Sequence, residues 1–271
     1  MLRQRIITAV VLALVVIGGI LQQDSLWTRI LFTLVMLAAS RELILLNLKS
    51  HPTFAAVGAI LFAALFWVSG SVVNALLVSW QSLAGLLLWC LIALALVFYR
   101  HHGNWPLLAR VAVLAIGLDL LWICAHGLVY LHQVFGGELV LFVLSLVWVA
   151  DIGAYFSGRA FGRNKLAPSI SPGKTREGLI GGLVANLAWI ALVYQYSNGW
   201  GLPLWQFMLI GVLTSLASVV GDLFVSVMKR EAGVKDSGKL LPGHGGMLDR
   251  IDSVVAASPV YVSGLILAGQ L

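Results

Sequence analysis

Residues 138–157 read ELVLFVLSLVWVADIGAYFS, and residues 158–177 follow as GRAFGRNKLAPSISPGKTRE. The first stretch is long and apolar enough to cross the ~30 Å hydrocarbon layer as a helix. Past its first residue it carries one charged side chain, Asp151. The second stretch is its opposite, basic and rich in hydroxyls and glycine. The same alternation runs along the whole chain, with further apolar runs at 6–22, 27–47, 53–69, 82–99, 107–130, 178–196, 204–227 and 253–270. Run length and Leu/Ala richness favour helices over the short alternating strands of a membrane barrel. The pattern predicts an all-α polytopic integral membrane protein with nine transmembrane helices. Five spans fall in residues 1–137. Four fall in 138–271, together with the polar segments 158–177 and 228–252.

Composition supports this reading. Of 271 residues, 60% are AVILMFWYC and only 10% are charged, against roughly 25% charged in soluble proteins. A soluble globular enzyme and a disordered chain are both excluded. The net charge of +6 suits anionic headgroups and phosphate-bearing substrates. The charges are too few and too scattered for nucleic-acid binding, so no nucleic-acid partner is expected. Cys90 and Cys124 lie in apolar runs and read as small buried residues rather than a disulfide or a metal site. Arg3 and Arg5 before the first run resemble a signal peptide, but no small-residue cleavage site follows. The run is read as a retained span.

Charge tests the span count. With nine spans and a cytoplasmic N-terminus, every Lys and Arg except Arg29 falls on the cytoplasmic side, as the positive-inside rule requires. One span more or fewer would scatter them. The C-terminus is then outside, and both long polar segments share the cytoplasmic face. Residues 151–252 hold ten of the 17 basic residues and seven of the 11 acidic ones. That region is therefore the chemically dense part of the chain.

Asp222, Ser226 and Lys229 are spaced i, i+4, i+7 and share one helix face. Asp222 lies about six residues inside the end of span eight, roughly 9 Å at 1.5 Å per residue, where a carboxylate costs about 2.5–3.5 kcal/mol unless compensated. Asp249 and Asp252 share a face at the start of span nine, on the same membrane side. The expectation is that these carboxylates converge on a hard cation, Mg2+, which takes one or two carboxylates and completes its shell with water and phosphate oxygens. Pro242-Gly-His-Gly-Gly246 lies between them, and its glycines offer close backbone approach and bare N–H groups to phosphate. Lys229, Arg230, Lys235, Lys239 and Arg250 supply positive charge. In the other polar segment, Ser169, Ser171, Lys174, Thr175 and Arg176 form a hydroxyl-rich basic loop suited to phosphate contacts. Gly173-Lys-Thr175 is not a Walker A motif, because Pro168 stands where the first Gly belongs. Asp151 reads as a substrate contact or as interhelical glue, and Asp119 equally as functional or as a helix–helix bond. His101, His102 and His126 have no ligand spacing.

The pattern Ser226-x-Met-Lys-Arg-x4-Lys-Asp-x-Gly-x2-Leu-Pro-x-His-Gly-Gly-Met-x-Asp-Arg-Ile-Asp252 resembles the signature of the phosphatidate cytidylyltransferases, or CDP-diacylglycerol synthases. The segment from Asp151 to Gly178 resembles the family's second recognisable stretch. The resemblance implies transfer of CMP from CTP to phosphatidic acid, giving CDP-diacylglycerol and pyrophosphate, at the cytoplasmic face of a bacterial inner membrane. It implies Asp222 and Asp249 as metal ligands, with Asp236 and Asp252 as further acidic candidates and a second cation compatible with the set. His244 is read as a donor to pyrophosphate. Ser226, Gly245, Gly246 and Arg250 are read as substrate contacts. The partners expected are CTP, phosphatidic acid and the bilayer, and a homodimer is compatible with the reading. Three rivals stand beside it: a cytidylyltransferase or kinase acting on another membrane lipid, an ion-coupled transporter or channel using Asp119, Asp151 and Asp222, and a structural membrane subunit, which would not need the ionic cluster.

Overall fold

A computed structural model describes residues 2–49, 51–70, 74–100, 103, 105–241, 243 and 245–271, with side chains from residue 10 onward. Among the described residues there are nine α-helices. They are α1 (Leu2–Ile20), α2 (Ser25–Leu48), α3 (Pro52–Ser69), α4 (Ala75–Phe98), α5 (Leu107–Phe135), α6 (Gly137–Phe161), α7 (Arg176–Ser197), α8 (Leu204–Ala232) and α9 (Leu248–Leu267). Eight of them, α2 to α9, are long and apolar enough to cross a membrane. In α1 the described apolar stretch is the shorter run Val10–Ile20. Side chains such as Val97 and Leu108 stay 77% and 81% exposed, a burden that water would not tolerate over so many helices and lipid does.

The all-helical reading holds with one addition. Residues 158–177 are not a plain loop. Strands β1 (Lys165–Ala167) and β2 (Ser171–Thr175) pair antiparallel, Lys165 opposite Thr175 and Ala167 opposite Ser171. Several boundaries also move, among them α4, which begins at Ala75 rather than 82, and α5, which ends at Phe135 rather than 130; two more bear on the candidate site. Helix α8 continues to Ala232, so Lys229 and Arg230 lie on its last turns, where cations complement the helix dipole. Asp222 is then about 15 Å from the helix end at 1.5 Å per residue. Helix α9 begins at Leu248, which puts Asp249 and Asp252 in its opening turns.

The chain divides into two compact units, each assembled from separate stretches. The first comprises 1–78, 102–141 and 227–252. Here α2 packs on α3 and α5. Asp24 caps α2 by accepting from Leu26 N–H at 2.8 Å, and Lys49 ends it in the left-handed region. Its buried stripe includes Phe32, Met36, Ala39, Leu43 and Leu46. His132 Nε2 lies 2.9 Å from the Ile20 carbonyl and ties α5 to the end of α1. Arg29, the exception to the charge pattern, lies over the Trp67 ring at 4.5 Å, a cation–π contact in place of an ion pair.

The second unit comprises 79–101, 142–226 and 253–271. Its helices are joined by buried polar contacts, as lipid-soluble bundles require. Asn186 is fully buried and donates through Nδ2 to the Leu146 carbonyl and to Ser215 Oγ, both at 2.8 Å. Trp189 Nε1 donates to Ser145 Oγ at 2.7 Å. Where α6 meets α7 the backbones nearly touch: a Cβ on Gly182 would sit 2.7 Å from the Ala150 carbonyl oxygen. Gly182→Leu is therefore expected to push the two helices apart and to cost about 1–3 kcal/mol by overpacking, read as a lower midpoint of thermal unfolding in detergent. The two cysteines part company: Cys124 is buried as expected, whereas Cys90 is exposed on α4.

Candidate active site

Two lysine–carboxylate pairs stand out, one in each unit. In the second unit the β-hairpin delivers Lys174 to Asp222 on α8. Lys174 Nζ lies 2.5 Å from Asp222 Oδ2, and Ser226 Oγ donates to Asp222 Oδ1 at 3.2 Å. Both side chains keep about a quarter of their surface exposed, 26% and 27%. The hairpin is fixed from α7. Thr175 caps that helix, its Oγ1 accepting from Gly178 N–H at 3.1 Å. Glu177 reaches back to accept from the backbone N–H of Arg163 and of Asn164 at 3.2 Å and from Asn164 Nδ2 at 2.7 Å.

Lys174 and Thr175 line a half-open cavity of about 360 Å³ shared with Asp151, Tyr155, Arg159 and Ser215. Gly158, Gly178 and Gly182 also line it. Asp151 thus lines a cavity and is not without a partner. Ser171 is half-buried in β2, and Arg176 is exposed at the first position of α7.

In the first unit, Lys229 Nζ donates to Asp249 Oδ1 at 2.7 Å. Both side chains are largely hidden, at 11% and 7% exposure. Asp249 Oδ2 accepts from Ser237 N–H at 2.8 Å, from Ser237 Oγ at 3.0 Å and from Gly246 N–H at 3.0 Å. The Gly246 N–H is therefore committed to a carboxylate rather than bare. Gly245 has φ +80°, and a Cβ there would meet Asp249 Oδ2 at 2.8 Å; only glycine fits both demands. Leu241 N–H donates to the Gly245 carbonyl at 3.0 Å and closes the turn. His244 and Pro242 lie outside the described residues, as do His101 and His102. Lys235, Asp236, Lys239 and Arg250 are exposed. Arg230 and Asp252 have partners, and Asp252 is 9% exposed.

One carboxylate of this network is absent from the sequence reading. Glu42 of α2, 3% exposed, accepts from Ser237 Oγ at 2.8 Å, from Met247 N–H at 3.0 Å and from Leu248 N–H at 2.9 Å. The signal available in the sequence is a carboxylate, Glu42, beside Arg41 inside the apolar run 27–47. Asp119, by contrast, is exposed on α5.

Among the described residues, no group of three or more His, Cys, Asp or Glu side chains forms a metal cage. The donors present are hard oxygens, and each of Asp222 and Asp249 already holds a cationic ammonium. Taken one by one, these carboxylate oxygens are donors of the kind Mg2+ takes together with phosphate oxygens and water, and are not the nitrogen and sulfur donors typical of structural zinc.

The model of the cytidylyltransferase family matches residues 3–267. A phosphatidate cytidylyltransferase of Pseudomonas aeruginosa is 42% identical over 99% of this chain and 98% of its own. One of Haemophilus influenzae is 52% identical over 49% of this chain and 47% of its own. One of Brucella suis is 47% identical over 49% of each.

Proposed function

Because the chain belongs to the cytidylyltransferase family, we propose that it transfers CMP from CTP to phosphatidic acid, releasing pyrophosphate and forming CDP-diacylglycerol. A phosphatidate oxygen attacks the α-phosphorus of CTP while the bond from that phosphorus to the bridging oxygen of pyrophosphate breaks. The attacking phosphate is already ionised near pH 7, with a second pKa near 6, so no side chain has to remove a proton. The obstacle is repulsion between two anions. Catalysis is then charge neutralisation and in-line positioning.

The observation that carries this reading is the pair of carboxylate-held lysines. Lys174 and Lys229 are fixed by Asp222 and Asp249, so their ammonium groups are oriented before substrate arrives. Fixed cations act on developing charge without paying for reorganisation. Lys174 and Arg159 in the half-open cavity suit a phosphate, and its glycine-lined walls allow close approach. Arg230, Lys235 and Arg250 add positive potential, and His244 serves pyrophosphate. Asp222 and Asp249 would hold Mg2+, which when bound neutralises polyphosphate charge. The reaction is placed at the cytoplasmic face of a bacterial inner membrane, with the acyl chains left in lipid.

The test follows label from the α-phosphate of CTP into extracted lipid. Transfer should require both phosphatidate and Mg2+, with label in CDP-diacylglycerol. Label in lipid without phosphatidate would assign a different acceptor. In sealed vesicles of native orientation, CTP supplied only outside should give no product; product there would reverse the assigned facing.

A further inference from the structure

Among the described residues, Glu42 has no counter-cation in its network. It is buried, and its three neighbours are all donors: Ser237 Oγ and the N–H groups of Met247 and Leu248. Two of these lie at the start of α9, where exposed N–H groups and the helix dipole favour an anion. Glu42 therefore occupies the anion position of α9 permanently, as a covalently tethered cap supplied by another helix. The cap is tied to Asp249 through one atom. Ser237 Oγ lies 2.8 Å from Glu42 Oε2 and 3.0 Å from Asp249 Oδ2. A hydroxyl carries a single proton and can donate to only one of them at a time. The Ser237 N–H donates to Asp249 Oδ2 as well. Shifting Glu42 would thus move Ser237, and Asp249 with it. Gly238 and Gly246 are packed so closely on the Glu42 carboxylate that a Cβ at either would collide with it.

We propose that Glu42 is a positioning residue for the transfer reaction. It sets the Asp249 carboxylate, Ser237 and the opening of α9 from α2, and touches no substrate. The inference rests on the function proposed above. Groups that orient a ligating carboxylate typically affect metal affinity or activity by about 10- to 100-fold.

The experiment compares wild type, Glu42→Gln and Ser237→Ala as full-length protein in detergent or nanodiscs. Gln keeps the shape but turns an NH2 group toward donors. Glu42→Gln should lower kcat about 10- to 100-fold and leave KM for phosphatidate unchanged. It should also weaken binding of Mn2+ with CTP, followed by electron paramagnetic resonance without lipid substrate. Ser237→Ala should shift both readouts the same way by a smaller factor, since Asp249 retains Lys229 and two backbone donors. Folded variants with wild-type kcat and Mn2+ binding would overturn the inference, even if their unfolding midpoints fall. If Glu42→Gln does not fold, Ser237→Ala decides alone: a shift in both readouts supports the inference and wild-type values overturn it. A wild type that transfers no CMP to phosphatidate overturns the proposed activity and this inference together, whereas an active wild type with unchanged variants overturns this inference alone.

Discussion

Asp249→Asn is expected to abolish CMP transfer, by on the order of 10³-fold or more, while the protein still inserts in the membrane. The substitution removes one charge from a group that accepts from Lys229 and from the N–H groups of Ser237 and Gly246, and that shares the Ser237 hydroxyl with Glu42. The Asn amide has one oxygen for donors that had two, and its NH2 group must face either Lys229 or the amides of Ser237 and Gly246. Lys229 is only 9% exposed, so its ammonium is left buried without a counter-ion. Breaking a buried pair in this way costs about 3–5 kcal/mol. Stability should therefore fall with activity. A double variant separates the two effects. Lys229→Met with Asp249→Asn removes both charges and should recover part of the unfolding midpoint, because an apolar replacement of a buried pair is close to neutral. Activity should stay lost. Recovery of turnover in the double variant would show that the pair serves only folding.

Much of this architecture is legible in the sequence, and the parts that are not have physical causes. Apolar runs of about twenty residues have one solution in lipid, so the helices could be read directly. Hydropathy is silent about where a helix ends once it leaves the hydrocarbon. Helix α8 runs on through Lys229, Arg230 and Glu231 because these residues are good helix formers and the cations suit its C-terminus. The hairpin was missed for a different reason. Ser171-Pro-Gly-Lys-Thr175 has poor strand propensity, and the hairpin depends on Glu177 gripping Arg163 and Asn164 from the next helix. That is tertiary information. Glu42 illustrates the third limit. A single carboxylate in an apolar run signals a partner, but the partner is more than 190 residues away in the chain. Asp222 and Asp249 were legible because helical spacing and a dense local pattern surround them.

Asp222→Asn and Lys174→Gln should behave unlike the Asp249 variants. Their pair lies at a half-open cavity, with about a quarter of each side chain exposed. Ion pairs in contact with solvent contribute about 0–1 kcal/mol to stability, so neither substitution should move the unfolding midpoint appreciably. Their effect should fall on catalysis. Lys174→Gln removes a fixed cation from the phosphate region and should lower kcat by about 10²- to 10³-fold, the usual loss when one preorganised electrostatic donor is deleted. Asp222→Asn frees Lys174 from its anchor at 2.5 Å and, on the proposed reading, also removes an oxygen ligand for Mg2+. It should be the more severe of the two and should raise the Mg2+ concentration needed for half-maximal rate, which Lys174→Gln should leave nearly unchanged. Steady-state label transfer at varied Mg2+, with thermal unfolding measured on the same preparations, distinguishes these outcomes. Equal Mg2+ dependence in both variants would confine Asp222 to holding Lys174. A fall in unfolding midpoint that tracks the loss of rate would instead make the pair part of the scaffold. The contrast between a buried pair whose loss costs both stability and rate, and an exposed pair whose loss costs rate alone, follows from burial.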